Sequence, residues 1–125
     1  MNNNELKVHI SEELINHYAK VSKDVNPIHL DKEKALAAGL PDKIAHGMLS
    51  MALSTKMATP YLCKGWFVSS YEVKLSFPVF VDDTIVIKAN LIKHTNYVHC
   101  YKIIGLNNLE KKIFQGTIKL QKLAN

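Results

Sequence analysis

A chain of 125 residues is long enough for one hydrophobic core and too short for two, and 47% hydrophobic against 22% charged residues is the balance of an ordinary globular protein. The formal net charge is +5, but the sixteen basic residues are scattered, with Lys111-Lys112 the densest run and no interleaved aromatic stripe; this disfavours nucleic acid against a solvated surface or a phosphate-bearing ligand tail. Two separated cysteines, Cys63 and Cys100, exclude a disulfide-dense scaffold and a CxxC redox or zinc centre, and each reads as a small core hydrophobe among apolar neighbours.

The opening Met1-Asn2-Asn3-Asn4-Glu5 has no apolar stretch of the kind a secretory signal needs, and no run approaches the length of a membrane span. The expectation is a cytoplasmic protein without a membrane partner, formed of a single domain over residues 1–125. An enclosed active site is hard to wall off in so small a subunit, which predicts a homodimer or higher homo-oligomer.

In chain order, Lys7–Ile10 reads as a short strand. Residues 11–20 read as a helix: Ser11 caps it, Glu12 and Glu13 suit the positive end of its dipole, and Leu14, Ile15, Tyr18 and Ala19 share one face. Asp31 caps a second helix through Lys32–Ala38, and Gly39 stops it. Ile44–Ala58 is apolar nearly all round, which predicts a buried helix of roughly 20 Å. From residue 66 the period changes to two: Tyr71, Val73, Leu75 and Phe77 alternate with polar residues, and Ile85–Leu91 follows the turn Val81-Asp82-Asp83-Thr84. Val98–Leu106 and Lys112–Leu120 complete the set, separated by Asn107-Asn108. Helices followed by a meander of long strands define an α+β fold with an antiparallel sheet wrapped around the Ile44–Ala58 helix.

The chemistry-bearing segment is Asp24-Val25-Asn26-Pro27-Ile28-His29. Asn-Pro forms turns and biases the preceding residue toward extended backbone, so Asp24 and His29 are expected on a tight loop between the first two helices. There a carboxylate and an imidazole can converge as an acid–base pair. The plain alternative is an aspartate that caps backbone N–H groups and a histidine without a role.

The stretch Tyr18 to Asp31 resembles the signature of the MaoC-like (R)-specific enoyl-CoA hydratases, the hydratase 2 family. Its usual form is an aromatic, a few residues, then Ser-Gly-Asp-x-Asn-Pro-(Leu/Ile)-His. Ile44-Ala45-His46-Gly47-Met48-Leu49 looks like the start of that family's central helix, and Lys74 to Ile85 is similar to its Phe-x-x-Pro-Val-x-x-Gly-Asp-Thr strand and turn. Three landmarks in the right order cover most of the chain. The resemblance implies a hot-dog fold, a long helix wrapped by an antiparallel sheet, and reversible (R)-specific hydration of a trans-2-enoyl-CoA in fatty-acid metabolism.

It also implies the site. Asp24 and His29 hold the attacking water and share the proton transfers. Gly47 matches the family's oxyanion donor, at a helix start where unpaired N–H groups and the positive dipole end suit a developing negative charge. Asn26 shapes the loop, Met48 follows Gly47 at the substrate end, and His46 either lines the pocket or forms a hydrogen bond at the helix start, the structural role being favoured. The spacing of Asp24, His29 and His46 matches no known metal-ligand pattern, and the inferred reaction needs neither metal nor cofactor. His9 and His99 fall in strands, His17 on a helix and His94 at a strand end, none with a catalytic role. Rival readings are a dehydratase of acyl-carrier-protein thioesters, a thioesterase, and a non-catalytic acyl-CoA-binding protein.

Two positions depart from the family. Lys23 stands where its glycine precedes the catalytic Asp, and Asp82 where its turn has glycine. A glycine before Asp24 serves either a special backbone angle or room for substrate. Lys23 is read as a solvated surface side chain.

Overall fold

In the computed structural model, which describes residues 3–62 and 64–123, the chain forms one five-stranded antiparallel sheet with its helices packed on one side. The first strand, β1, is Asn3–His9, and α1 is Glu12–Ser22. The cap foreseen for α1 is present: the Ser11 hydroxyl accepts the Leu14 N–H at 3.0 Å. Two short helices follow, α2 (Pro27–Leu30) and α3 (Lys32–Ala37), the latter capped by Asp31 through the N–H groups of Glu33 and Lys34. Gly39, at φ +88°, ends this helical stretch in the left-handed region, where glycine carries no steric penalty.

Helix α4 is Gly47–Ser54 and runs through a 3₁₀ turn, Thr55–Ala58, into the short α5, Thr59–Leu62. The helix expected over Ile44–Ala58 therefore starts three residues late. Ile44 to His46 are extended because they have strand partners: Ile44 bridges Phe80, and the Ala45 N–H donates to the Val79 carbonyl at 2.8 Å. Nor is the helix buried on every side. Leu49, Ser50 and Ser54 face the sheet, whereas Met48 is 62% exposed.

Strands β2 (Trp66–Leu75), β3 (Thr84–His94), β4 (Val98–Leu106) and β5 (Lys112–Lys122) match the regions of period two. Their order across the sheet is β1-β3-β4-β5-β2, which leaves β1 and β2 as edges. Gly116 of β5 pairs with Val73, and a Cβ there would lie 1.9 Å from the Glu72 carbonyl oxygen, so only glycine lets β2 approach so closely. Cys63 lies outside the described residues, and Cys100 is a half-buried free thiol on β4.

One core cluster joins Ile10, Ile15, Ala45, Leu49, Val79, Ile85, Ile87, Ile113 and Phe114. A second, around Ala89, Tyr101, Ile103, Ile118 and Leu120, lies under the 3₁₀ turn. Burying each large aliphatic side chain contributes about 1.5–3 kcal/mol, enough in sum to hold the helical layer against the sheet. One ion pair strengthens the attachment: the nearly buried Lys43 ammonium meets the Glu12 carboxylate at the start of α1. The strap Lys43–His46 is thereby fixed to both α1 and the sheet.

Candidate active site

The site is built where α1 ends. Lys23, at φ +66°, is the left-handed residue that turns the chain out of the helix. Of the two uses conceived for glycine at this position, the backbone angle is the one observed, and the Lys23 side chain is exposed as expected. Asp82 repeats the finding at φ +70°. Both departures from the family pattern put an ordinary side chain on backbone that favours glycine.

Beyond Lys23 the segment is organised by its own polar side chains. The Asp24 Oδ1 accepts the Asn26 N–H at 3.2 Å, and the Asn26 Oδ1 accepts the Ile28 N–H at 3.2 Å. Pro27 then occupies the first turn of α2, where its missing N–H costs nothing. His29 consequently stands on a one-turn helix and not on the tight loop expected, a correction with a clear cause: an Asn cap followed by Pro nucleates a turn of helix. Asn26 does shape the loop.

Asp24 is exposed, whereas His29 is buried. The His29 Nδ1 lies 2.7 Å from the Ile44 carbonyl oxygen. A carbonyl only accepts, so Nδ1 carries the proton, and in the neutral ring the Nε2 lone pair is free. Burial lowers the His29 pKa below its usual value, and the neighbouring His46 acts in the same direction. The Ile44 carbonyl and the Asp24 charge oppose that shift without reversing it.

His46 is 2% exposed and sits immediately before α4. Its Nε2–H donates to the backbone carbonyl of Asp24 at 2.8 Å, and its ring stacks on His29 with centroids 3.8 Å apart and planes 26° apart. The Tyr18 ring meets its edge at 4.9 Å. The His46 Nδ1 is buried and has no hydrogen-bond partner among the described residues.

Gly47 opens α4, so its N–H has no acceptor within the helix. It lines a cleft of about 320 Å³ together with Ser50, Leu75, Phe77, Val79 and Phe114. Of the six residues singled out from sequence, Gly47 alone is on that wall. Met48, Asp24, His29, Asn26 and His46 are not. Ser50 was missed by sequence reasoning, although it stands three residues after Gly47 and so on the same helical face.

A carboxylate oxygen of Asp24 and a ring nitrogen from each of His29 and His46 come within 4.8 Å of one another. That donor set suits a divalent metal by type, and each imidazole has one nitrogen committed to a backbone carbonyl and one left over. The same carboxylate and imidazole groups are able to transfer protons.

The fold is that of the hot-dog proteins. The (R)-hydratase of A. caviae involved in PHA biosynthesis superposes with a TM-score of 0.88 at 20% identity, over 97% of this chain and 94% of that one. The chain belongs to the MaoC-like domain family, which matches residues 2–113. A mitochondrial 3-hydroxyacyl-[acyl-carrier-protein] dehydratase of Arabidopsis thaliana is 34% identical over 76 residues, 61% of this chain and 45% of that protein. An (R)-specific enoyl-CoA hydratase of Rhodospirillum rubrum is 34% identical over 77 residues, 61% of this chain and 54% of that protein. The matched segments thus span about half the length of these relatives. Among the described residues no helix is long and apolar enough to cross a membrane.

Proposed function

We propose that this protein is a hydro-lyase that interconverts a trans-2-enoyl-CoA and the (R)-3-hydroxyacyl-CoA. The observation that carries the reading is the fixed tautomer of His29, which leaves Nε2 unprotonated in a ring that has a nitrogen within 4.8 Å of an Asp24 carboxylate oxygen. In the hydration direction, Asp24 and His29 hold one water between them. His29 Nε2 takes a proton from the water as its oxygen bonds to C3, and the imidazolium then delivers that proton to C2. Asp24 orients the water and balances the imidazolium charge. Negative charge that builds on the thioester oxygen is met by the Gly47 N–H at the positive end of α4. Dehydration runs the same steps backward, so the proton count closes in either direction.

The acyl-carrier-protein dehydratase is the second reading, and the Arabidopsis relative supports it. Both use the same residues, and they differ in what carries the thioester. We propose a homodimer as the assembled form: β2 is a sheet edge, Leu75 on it is exposed and lies against Gly47, and Met48, next to Gly47 on α4, is exposed too. Matched CoA and carrier-protein substrates, assayed with chiral analysis of the product, test the reading. Turnover to an (R) product on CoA supports it, faster turnover on the carrier protein favours the second reading, and an (S) product or no turnover on either overturns both.

A further inference from the structure

His46 is the one buried ionisable group at the site that the proposed chemistry does not use. Its surroundings are unlike those of a packing residue. Its Nε2–H is committed to the main chain of Asp24, one flat face covers the His29 ring, and the next residue is Gly47. Three parts of the site that are separated in sequence are therefore held through a single side chain. The Nδ1 is buried and has no hydrogen-bond partner among the described residues, so the contacts that hold the ring are the Nε2–H bond to Asp24, the stack on His29 and the edge of Tyr18.

We infer that His46 is a positioning residue: it sets the distance and angle between the Asp24 carboxylate and the His29 imidazole without touching the substrate. This rests on the hydro-lyase reading above. The tether acts on the Asp24 carbonyl, so it fixes the main chain from which the carboxylate projects. The stack acts on His29 from the face, so it limits rotation of the ring about the Nδ1–Ile44 hydrogen bond. One ring restrains both partners, and errors of about 1 Å in such pairs can cost on the order of 10²-fold in rate. The same stack keeps water off one face of His29. The charged and titratable groups that face His29 are Asp24, from the loop after α1, and His46 itself, from the strap before α4.

The two contacts are separated by His46→Phe, which keeps the flat ring over His29 and removes the donor, and His46→Ala, which removes both. Each is compared with wild type for kcat, KM and the pH dependence of kcat/KM, with folding checked by circular dichroism and thermal melting. The expected result is a kcat about 10–100-fold lower in both variants, with KM changed less than about threefold. In addition, the acid limb of kcat/KM moves to higher pH in His46→Ala, where water reaches His29, and stays near wild type in His46→Phe. A folded His46→Ala with kcat within threefold of wild type, a loss confined to KM, or acid limbs that move equally in both variants would overturn the inference. If both variants fail to fold, His46→Gln is assayed in their place: it keeps a donor without a ring, and a wild-type acid limb there overturns the inference too. A wild-type protein inactive on every thioester removes the hydro-lyase reading itself, a different failure from an active wild type indifferent to position 46.

Discussion

The Nδ1–H of His29 is held 2.7 Å from the carbonyl oxygen of Ile44, across fifteen positions of sequence. This bond decides which nitrogen of the ring is available for chemistry. It is made by the extended strap before α4, the same segment that the sequence pattern assigned to helix. Had Ile44 been helical, its carbonyl would have pointed along the helix axis toward a later N–H, and His29 would have had no fixed tautomer.

Substitution of either member of the proposed acid–base pair should abolish most activity and leave the fold intact. Asp24→Asn keeps the shape of an exposed side chain and retains an oxygen that accepts the Asn26 N–H. His29→Ala removes a buried ring, with some loss of stability. Each is expected to lower hydration of crotonyl-CoA by about 10²–10⁴-fold. A steady-state assay on folded protein is the check; near-normal rates in either variant sink the assignment.

The pH dependence has a definite sign. The His29 pKa is lowered by burial, so its neutral form persists below the usual value of 6.5, and the acid limb of kcat/KM should fall below that pH. The unfolded chain binds the proton more tightly than the folded one. Stability therefore rises with pH between the lowered value and 6.5, and its loss on acidification begins near 6.5. Urea titrations across this window measure the second effect, and His29→Ala should flatten it.

Gly47 allows its backbone donor to be deleted without disturbing the helix. Proline is well tolerated at the first helical position, and His46 already has the extended backbone (φ −63°, ψ 135°) that a following proline requires. Gly47→Pro should fold and lose about 10²–10³-fold in kcat, as expected for one oxyanion donor. Gly47→Ala is the steric control. Its Cβ would meet only the mobile Leu75 Cδ1, at 2.8 Å, and it keeps the N–H, so a much smaller loss is expected. Equal losses in the two variants would point to crowding of the cleft and against the N–H as donor.

Lys23→Gly should stabilise the protein. The left-handed conformation at φ +66° costs a side-chain-bearing residue roughly 1–2 kcal/mol, and the greater freedom of glycine in the unfolded chain returns part of that. A net gain of about 1 kcal/mol corresponds to a rise in Tm of about 4 °C for a chain of this size. An unchanged or lower melting temperature would show that Lys23 makes a compensating interaction.

Most of the sheet was legible because alternation survives in strands with one face on the core, as in Ile85, Ile87 and Ala89 of β3. The capped helices were legible because Ser11 and Asp31 act on neighbours two or three residues away. What the sequence concealed was settled by distant pairing. Ile44-Ala45-His46 fits an apolar helix until Val79 and Phe80 offer strand partners. The Asp24-x-Asn-Pro-x-His spacing brought out the acid–base pair, whereas the contact of His46 with Asp24, twenty-two positions away, left no periodic trace. Two side chains on left-handed backbone were visible only as departures from a family pattern, and their cause became physical once φ was known.

The strap at Ile44 also separates what can vary from what cannot. Its N–H takes the Ile28 carbonyl at 3.2 Å, its own carbonyl takes the His29 Nδ1, and it bridges Phe80. Lys43, one residue earlier, is already fixed to Glu12. Residues Gly39 and Pro41, between α3 and this anchor, are exposed and carry none of those bonds. A few residues inserted after Pro41 would lengthen a surface connection while α2 and α4 keep their mutual placement, since doubling a flexible loop costs only about 0.6 kcal/mol. A loop grafted there would stand three residues before the Ile44 carbonyl that fixes His29, a route to changing what approaches this end of the molecule without redesigning the proposed acid–base pair.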